Sequence, residues 1–158
     1  MGRRSGYASS TTVSADRTIA QIRALVVKFG AEQFLLAHDA KHATVGFSYR
    51  GVPVRFDLPL PSVSDPEFQT SATGRSRTDA QIASAHEAAV RSQWRSLFAL
   101  LKALLVAVED GLIPFERAFF YDTVTPDGRT VGQHMLPSVS NMLSSGRPIP
   151  LALPFTDD

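Results

Sequence analysis

A chain of 158 residues, 44% hydrophobic and 20% charged, suits one domain with a modest core and leaves little room for two. Zero cysteines exclude disulfides, thiolate nucleophiles and thiolate metal sites together, and the longest apolar stretch, Leu97 to Val108, is interrupted by Lys102 and is too short to span a bilayer. The formal charge of +1 is unevenly spread: residues 1–102 hold 13 Lys and Arg against 8 Asp and Glu, a balance of +5, while residues 103–158 hold 3 against 7, a balance of −4.

Met1 to Ser14 is rich in Gly, Ser and Thr with one aromatic residue. It buries too little to offset its ordering entropy, so residues 1–14 read as a disordered basic tail. It has no charged-then-apolar signal pattern, which with the missing span points to a soluble, cytoplasmic protein. A first helix is expected from Ser14 or Asp16, either able to cap free amides, to Phe29, where Gly30 stops it. Ile19, Ile22, Leu25, Val26 and Phe29 recur at spacings of three and four and form its core-facing stripe.

Gln33 to Ala37 is a short apolar run that reads as a first strand, followed by the turn-like His38-Asp39-Ala40-Lys41. Ala43, Val45, Phe47 and Tyr49 then alternate with polar residues, as do Val52, Val54, Phe56, Leu58 and Leu60. Strand side chains alternate between faces, so this is a hairpin with one buried side, turning at Arg50-Gly51. Pro53 lacks the amide proton a central strand uses, which makes the third strand an edge. Ser62 to Thr78 holds Pro66, Gly74, Arg75 and Arg77 with no sustained period and reads as a long loop.

From Asp79 to about Asp110 the period becomes helical, with Ile82, Val90, Trp94, Leu97, Leu101, Leu105 and Val108 on one broad stripe, Thr78 or Asp79 as cap and Gly111 as stop. Pro114 opens a short helix carrying Phe115, Phe119 and Phe120. Pro126-Asp127-Gly128 is a turn, and Thr130 caps a final helix with Met135, Leu136, Val139 and Met142, whose early part Pro137 complicates. Residues 146–158 read as an extended Pro-rich tail. The expected fold is α+β: one domain over residues 15–145 with a helix, a three-stranded antiparallel meander, a long amphipathic helix packed on one sheet face, and short C-terminal helices.

Catalytic signals are sparse. His38, Asp39 and His42 could bind a divalent metal if they converged, but a turn does not fix their spacing, and polar turn residues are the simpler reading. His86 and His134 lack a neighbouring nucleophile motif, and Glu109 and Asp110 are consecutive on a helix and point apart. There is no phosphate-binding glycine loop. The expectation is a protein without catalytic residues, cofactor or metal.

The cations are more suggestive. Arg91, Arg95 and Lys102 fall within roughly 40° of each other on the long helix at about 100° per residue. Arg75 and Arg77 from the loop and Arg50 and Arg55 from the hairpin would extend them into a cationic groove if these elements adjoin, and such grooves track phosphate backbones. The alternative is a solvated helix face. Most aromatic residues fit buried stripes, leaving Tyr7 and Tyr49 as the freer rings for stacking on bases.

VPVRFDLPLP at 52–61, TGRSRTDAQ at 73–81, RSQWRSLFALLKALLVAVEDGLIPFERAF at 91–119 and PDGRTVGQHMLP at 126–137 together resemble a group of small proteins of actinobacterial bacteriophages and prophages. The resemblance implies a phage setting and a bacterial host cytoplasm, and brings no assigned chemistry to any residue. The order of elements is also similar to the double-stranded RNA-binding domain and to the core of single-strand annealing recombinases, a likeness of topology alone. The leading expectation is a non-enzymatic accessory protein that binds DNA or RNA in phage replication or recombination, as a monomer or homo-oligomer. The alternative is a phage interaction protein that binds or inhibits a host or defence protein through its sheet edge or its PLALPFTDD tail.

Overall fold

The computed structural model describes the backbone of residues 7–146 and side chains from Ala15 onward. Residues 1–6 of the expected basic tail and residues 147–158 of the expected C-terminal tail lie outside the described residues.

The first helix, α1, spans Tyr7–Phe29 and so starts ahead of the Ser14 or Asp16 anticipated as its cap. Its C-terminus is as expected: Gly30 adopts φ +114°, and the amides of Gly30 and Ala31 return to the carbonyls of Val27 and Val26, a Schellman closure that only a residue tolerant of positive φ completes cheaply. Strands β1 (Gln33–His38), β2 (His42–Tyr49) and β3 (Val52–Pro59) form one antiparallel sheet in the order β1-β2-β3. Tyr49 pairs with Val52, so the hairpin turns on Arg50 and Gly51 alone, at φ +50° and +74°. Both positive values match the twist of the flanking strands.

The alternation in the sequence becomes burial. Ala43, Val45 and Phe47 of β2 and Val54 and Phe56 of β3 form the buried face of the sheet. Helix α1 covers it with Ile22 and Val26, and the long helix, described next, with Val90, Trp94, Leu97, Leu101 and Leu105. Each Val, Leu, Ile or Phe among them contributes about 1.5–3 kcal/mol on full burial, an upper bound because the unfolded chain already hides some of this surface.

After β3 the expected long loop is instead locally organised. A one-turn helix, α2 (Pro66–Gln69), buries Phe68, whose ring stands edge-on to His86 at 5.6 Å. Thr70 and Ser76 bridge, and the Arg77 amide donates to the Gln69 carbonyl. One buried aromatic ring thus anchors a segment that has no period of its own.

The long helix, α3 (Asp79–Glu109), starts in a capping box: the Thr78 hydroxyl accepts from the Gln81 amide and the Gln81 side chain accepts from the Thr78 amide. It ends in a second Schellman closure at Gly111. Asp16 and Ile19 share a recess with His86, Val90 and Trp94, and Phe29 shares another with Val108 and Glu109. Helices α1 and α3 therefore run the same way across the sheet.

A one-turn helix, α4 (Phe115–Ala118), places Phe115 and Phe119 in the core. Phe119 meets Phe47 at 5.6 Å and Phe56 at 6.2 Å, both near-perpendicular, the favoured edge-to-face arrangement. Tyr49, expected to be free, instead packs between Phe29 at 4.7 Å and Phe115 at 4.8 Å. The next residues patch the outer edge of β3: Thr123 bridges to Val54, the Arg55 amide donates to the Asp122 carbonyl and the Val124 amide to the Pro53 carbonyl. β3 is an edge strand of the sheet, as Pro53 implied, but this part of its edge is occupied.

The last helix, α5 (Val131–Leu143), opens in another capping box, Thr130 with Gln133, and continues through Pro137. No helix among the described residues is long and apolar enough to cross a membrane.

Candidate functional site

The seven cations expected to line one groove are dispersed, and several are already bonded. Arg55 is tied down on three sides: Nε lies 3.3 Å from Asp57, one terminal nitrogen donates to the Gly128 carbonyl at 2.6 Å and the other to Gln133 Oε1 at 3.2 Å. It clamps the turn before α5 to the sheet. Arg77 donates to the carbonyls of Glu67 and Phe68, satisfying groups that a one-turn helix leaves open. Arg91 pairs with Glu87 one turn earlier at 2.7 Å, the favourable acid-before-base order on a helix. Arg50 lies over the Tyr49 ring at 5.1 Å, beside Glu109 and Glu116 in a recess at the C-terminal end of α3.

Arg75, Arg95 and Lys102 are exposed and have no side-chain hydrogen bond or ion pair among the described residues. Arg95 and Lys102 share one side of α3. Arg75 lies beyond its N-terminus, the opposite end from Arg50, and a helix of 31 residues separates its ends by about 45 Å. Arg50 and Arg75 therefore stand too far apart to contact one ligand group together, with the length of α3 between them.

His86 and His134 are also committed to the fold. Asp39 accepts from the amides of Lys41 at 2.7 Å and His42 at 2.8 Å. These bonds, that to Lys41 first, hold its carboxyl below the usual carboxylate range, and they make it the brace of the β1–β2 turn. His42 stays 3.8 Å away and largely in solvent. Sequence reasoning missed that His38 and Asp39 meet Asp16 and His86 around a recess of about 170 Å³ beside Trp94; contacts between distant elements leave no local signal. His86 donates to the Pro61 carbonyl at 2.8 Å, and among the described residues no group of three or more His, Asp or Glu is placed to hold a metal ion.

His134 lies near a hydroxyl and a carboxylate but does not form a relay. Its Nε2 is 3.1 Å from both Asp127 Oδ2 and Thr125 Oγ1, whereas a relay uses the two ring nitrogens for the two partners. The Thr125 hydroxyl, then the Arg129 amide, draw the Asp127 carboxyl down to about 2. This network braces the turn before α5.

The most distinctive surface is α5. From Val131 to Leu143 it carries no Asp, Glu, Lys or Arg, yet beyond Gly132 its large apolar side chains face solvent: Leu136 is 53% exposed, Met142 68% and Leu143 62%. With Met135 and Val139 they fall in a stripe about 120° wide at 100° per residue. Gly132 lies on the same stripe and is buried against the Tyr121 ring. The face that seats the first turn on the body thus continues past it uncovered, with Phe120 and Tyr121 also exposed nearby. The spacing of these residues was readable in the sequence; that they lack a core to face was not.

No family model, curated protein or solved structure matches this chain.

Proposed function

We propose that the protein is a non-enzymatic accessory protein, in the phage setting its resemblance implies, that acts by docking onto another protein through α5. The supporting observation is the exposed apolar stripe on a helix without a charged residue. Contiguous apolar surface of this kind marks contact sites, whose centres are depleted of charge. A helix without Lys or Arg lacks the cations that neutralise phosphates or anionic headgroups.

The test is affinity purification from bacterial lysate with quantitative mass spectrometry, comparing wild type with Leu136→Asp and Arg95→Glu. A defined partner held by wild type and Arg95→Glu and lost from Leu136→Asp is the expected result. Identical recovered proteins from all three, together with a wild type that does not self-associate in solution, would remove α5 as the docking face.

A second reading, contact with DNA or RNA, is favoured by Arg95 and Lys102 on one side of α3. It predicts binding that weakens with salt, with the slope reduced by roughly one unit for each phosphate contact removed in Arg95→Ala and Lys102→Ala. An unchanged slope in the double variant would exclude this surface.

A further inference from the structure

The face of the sheet opposite α1 and α3 carries a trough of about 630 Å³. Its floor is Gly46 on the central strand, one wall is Leu35 on β1, and the other is Pro53 with Val124. Leu35 is 57% exposed although it is a large apolar residue in a strand. Gly46 makes the floor low: a Cβ there would come within 3.3 Å of the Val54 carbonyl oxygen and 3.6 Å of Leu35 Cβ. The only cation in the lining, Arg55, is already held by Gly128 and Gln133.

The chain therefore has two uncovered apolar surfaces of opposite shape, a ridge on α5 and a trough on the sheet. They lie close in the fold, since α5 starts beside β3 through Arg55 and Gln133, but the exposed stripe shows that α5 leaves its own sheet uncovered.

We propose that the partner of α5 is a second copy of this chain, and that two copies exchange their α5 helices reciprocally, each helix seated in the other's trough. This rests on the docking reading given above and names its partner.

Charge and area favour this occupant. The ridge carries no formal charge and the one cation lining the trough, Arg55, is already paired with Asp57, so burying one on the other leaves no unpaired ion. A 13-residue helix is about 20 Å long and one packed face of it about 10 Å wide, so a single contact covers on the order of a few hundred Å², short of the about 800 Å² per partner of a standard stable interface. Reciprocal exchange buries both the ridge and the trough of each copy. It also closes under a twofold axis, leaving no apolar surface to propagate a filament.

Sedimentation velocity on the full chain tests the proposal. Wild type is expected to be dimeric at about 100 µM, well above a Kd in the micromolar range. Leu136→Asp on the ridge and Leu35→Lys on the trough wall, both at exposed positions, are each expected to give monomers with unchanged circular dichroism. A mixture of the two variants regains one intact helix–trough contact and should form a heterodimer weaker than wild type by tenfold or more.

A dimer abolished by Leu136→Asp but indifferent to Leu35→Lys would overturn the exchange and leave α5 pairing with α5. A monomeric wild type would overturn self-association. The docking reading then survives only if the lysate experiment finds a different partner sensitive to Leu136→Asp. A wild-type monomer that dimerises when residues 147–158 are removed would assign the α5 face to the chain's own C-terminal segment and overturn both.

Discussion

Arg129 donates from Nη2 to the backbone carbonyl of Gln133 at 2.8 Å, the carbonyl that Pro137, four residues later, has no amide to serve. The arginine thus supplies from outside α5 the donor that the proline withholds from within it. Arg129→Ala is expected to destabilise the protein by about 1 kcal/mol. In a Pro137→Ala background, where a backbone amide returns, the same substitution should cost markedly less. A double-mutant cycle by urea unfolding measures the coupling, and equal costs in both backgrounds would show that the guanidinium does not replace the amide.

Phe119 is fully buried among Phe47, Phe56 and Phe115, while its neighbour Phe120 faces solvent. Phe119→Ala should cost about 3–5 kcal/mol through lost transfer energy and the cavity left behind, a large part of the 5–15 kcal/mol that typically holds a domain together. Phe120→Ala should change stability by less than about 0.5 kcal/mol. Denaturant midpoints of the two variants make the comparison, and similar losses at both positions would mean that Phe120 is covered in solution.

How much of this was readable in advance depends on whether a feature is periodic. The β2–β3 hairpin, the α3 stripe, the Gly30 and Gly111 stops and the Thr130 cap follow from spacing and from single residues with one job. Phe68 has no periodic partner, and only the tertiary fold shows that it folds the Ser62–Thr78 segment onto α3. The cations misled for a similar reason. Spacing along α3 put Arg91, Arg95 and Lys102 together, but the fold decided that Arg55 and Arg77 would bond to backbone carbonyls. Likewise, the spacing of Met135, Leu136, Val139 and Met142 showed a helix but not what it faces, because an uncovered stripe and a buried one share the same period.

Asp122 carries a stability dependence on pH. Desolvation beside β3, and secondarily the Asp57 charge, raise its carboxyl from the ordinary 3.8 to about 6. Between those values the folded chain holds a proton that the unfolded chain has released, so the stabilising contribution is complete below about pH 4 and is lost as pH rises toward 6. Asp122→Asn should remove that decline and make the variant more stable than wild type at pH 8 but not at pH 4. Asp127 acts in a separate window, since its depressed carboxyl contributes stability above its ordinary value that is lost as pH falls toward 2. Urea midpoints across pH 4–8 isolate Asp122, and parallel wild-type and Asp122→Asn profiles would refute the assignment.

The two kinds of cation should separate in stability measurements. Arg55 spans three acceptors with a planar fork, joining β3 to the Gly128 turn and to the Gln133 side chain at the start of α5. A charged hydrogen bond of this kind is worth about 1.5–3 kcal/mol, and removing the donor leaves its partners to find water. Arg55→Ala should therefore destabilise by about 2 kcal/mol. Arg55→Lys should recover little of that, because an ammonium cannot reach three divergent acceptors from one stem. Arg95→Ala and Lys102→Ala remove exposed side chains and should stay within about 0.5 kcal/mol of wild type, which makes them clean probes of binding. If Arg55→Lys instead matches wild type in urea unfolding, positive charge near Asp57 matters there and the fork does not; the clamp between the sheet and α5 would then need another origin, with the Thr123–Val54 bridge the next contact to break.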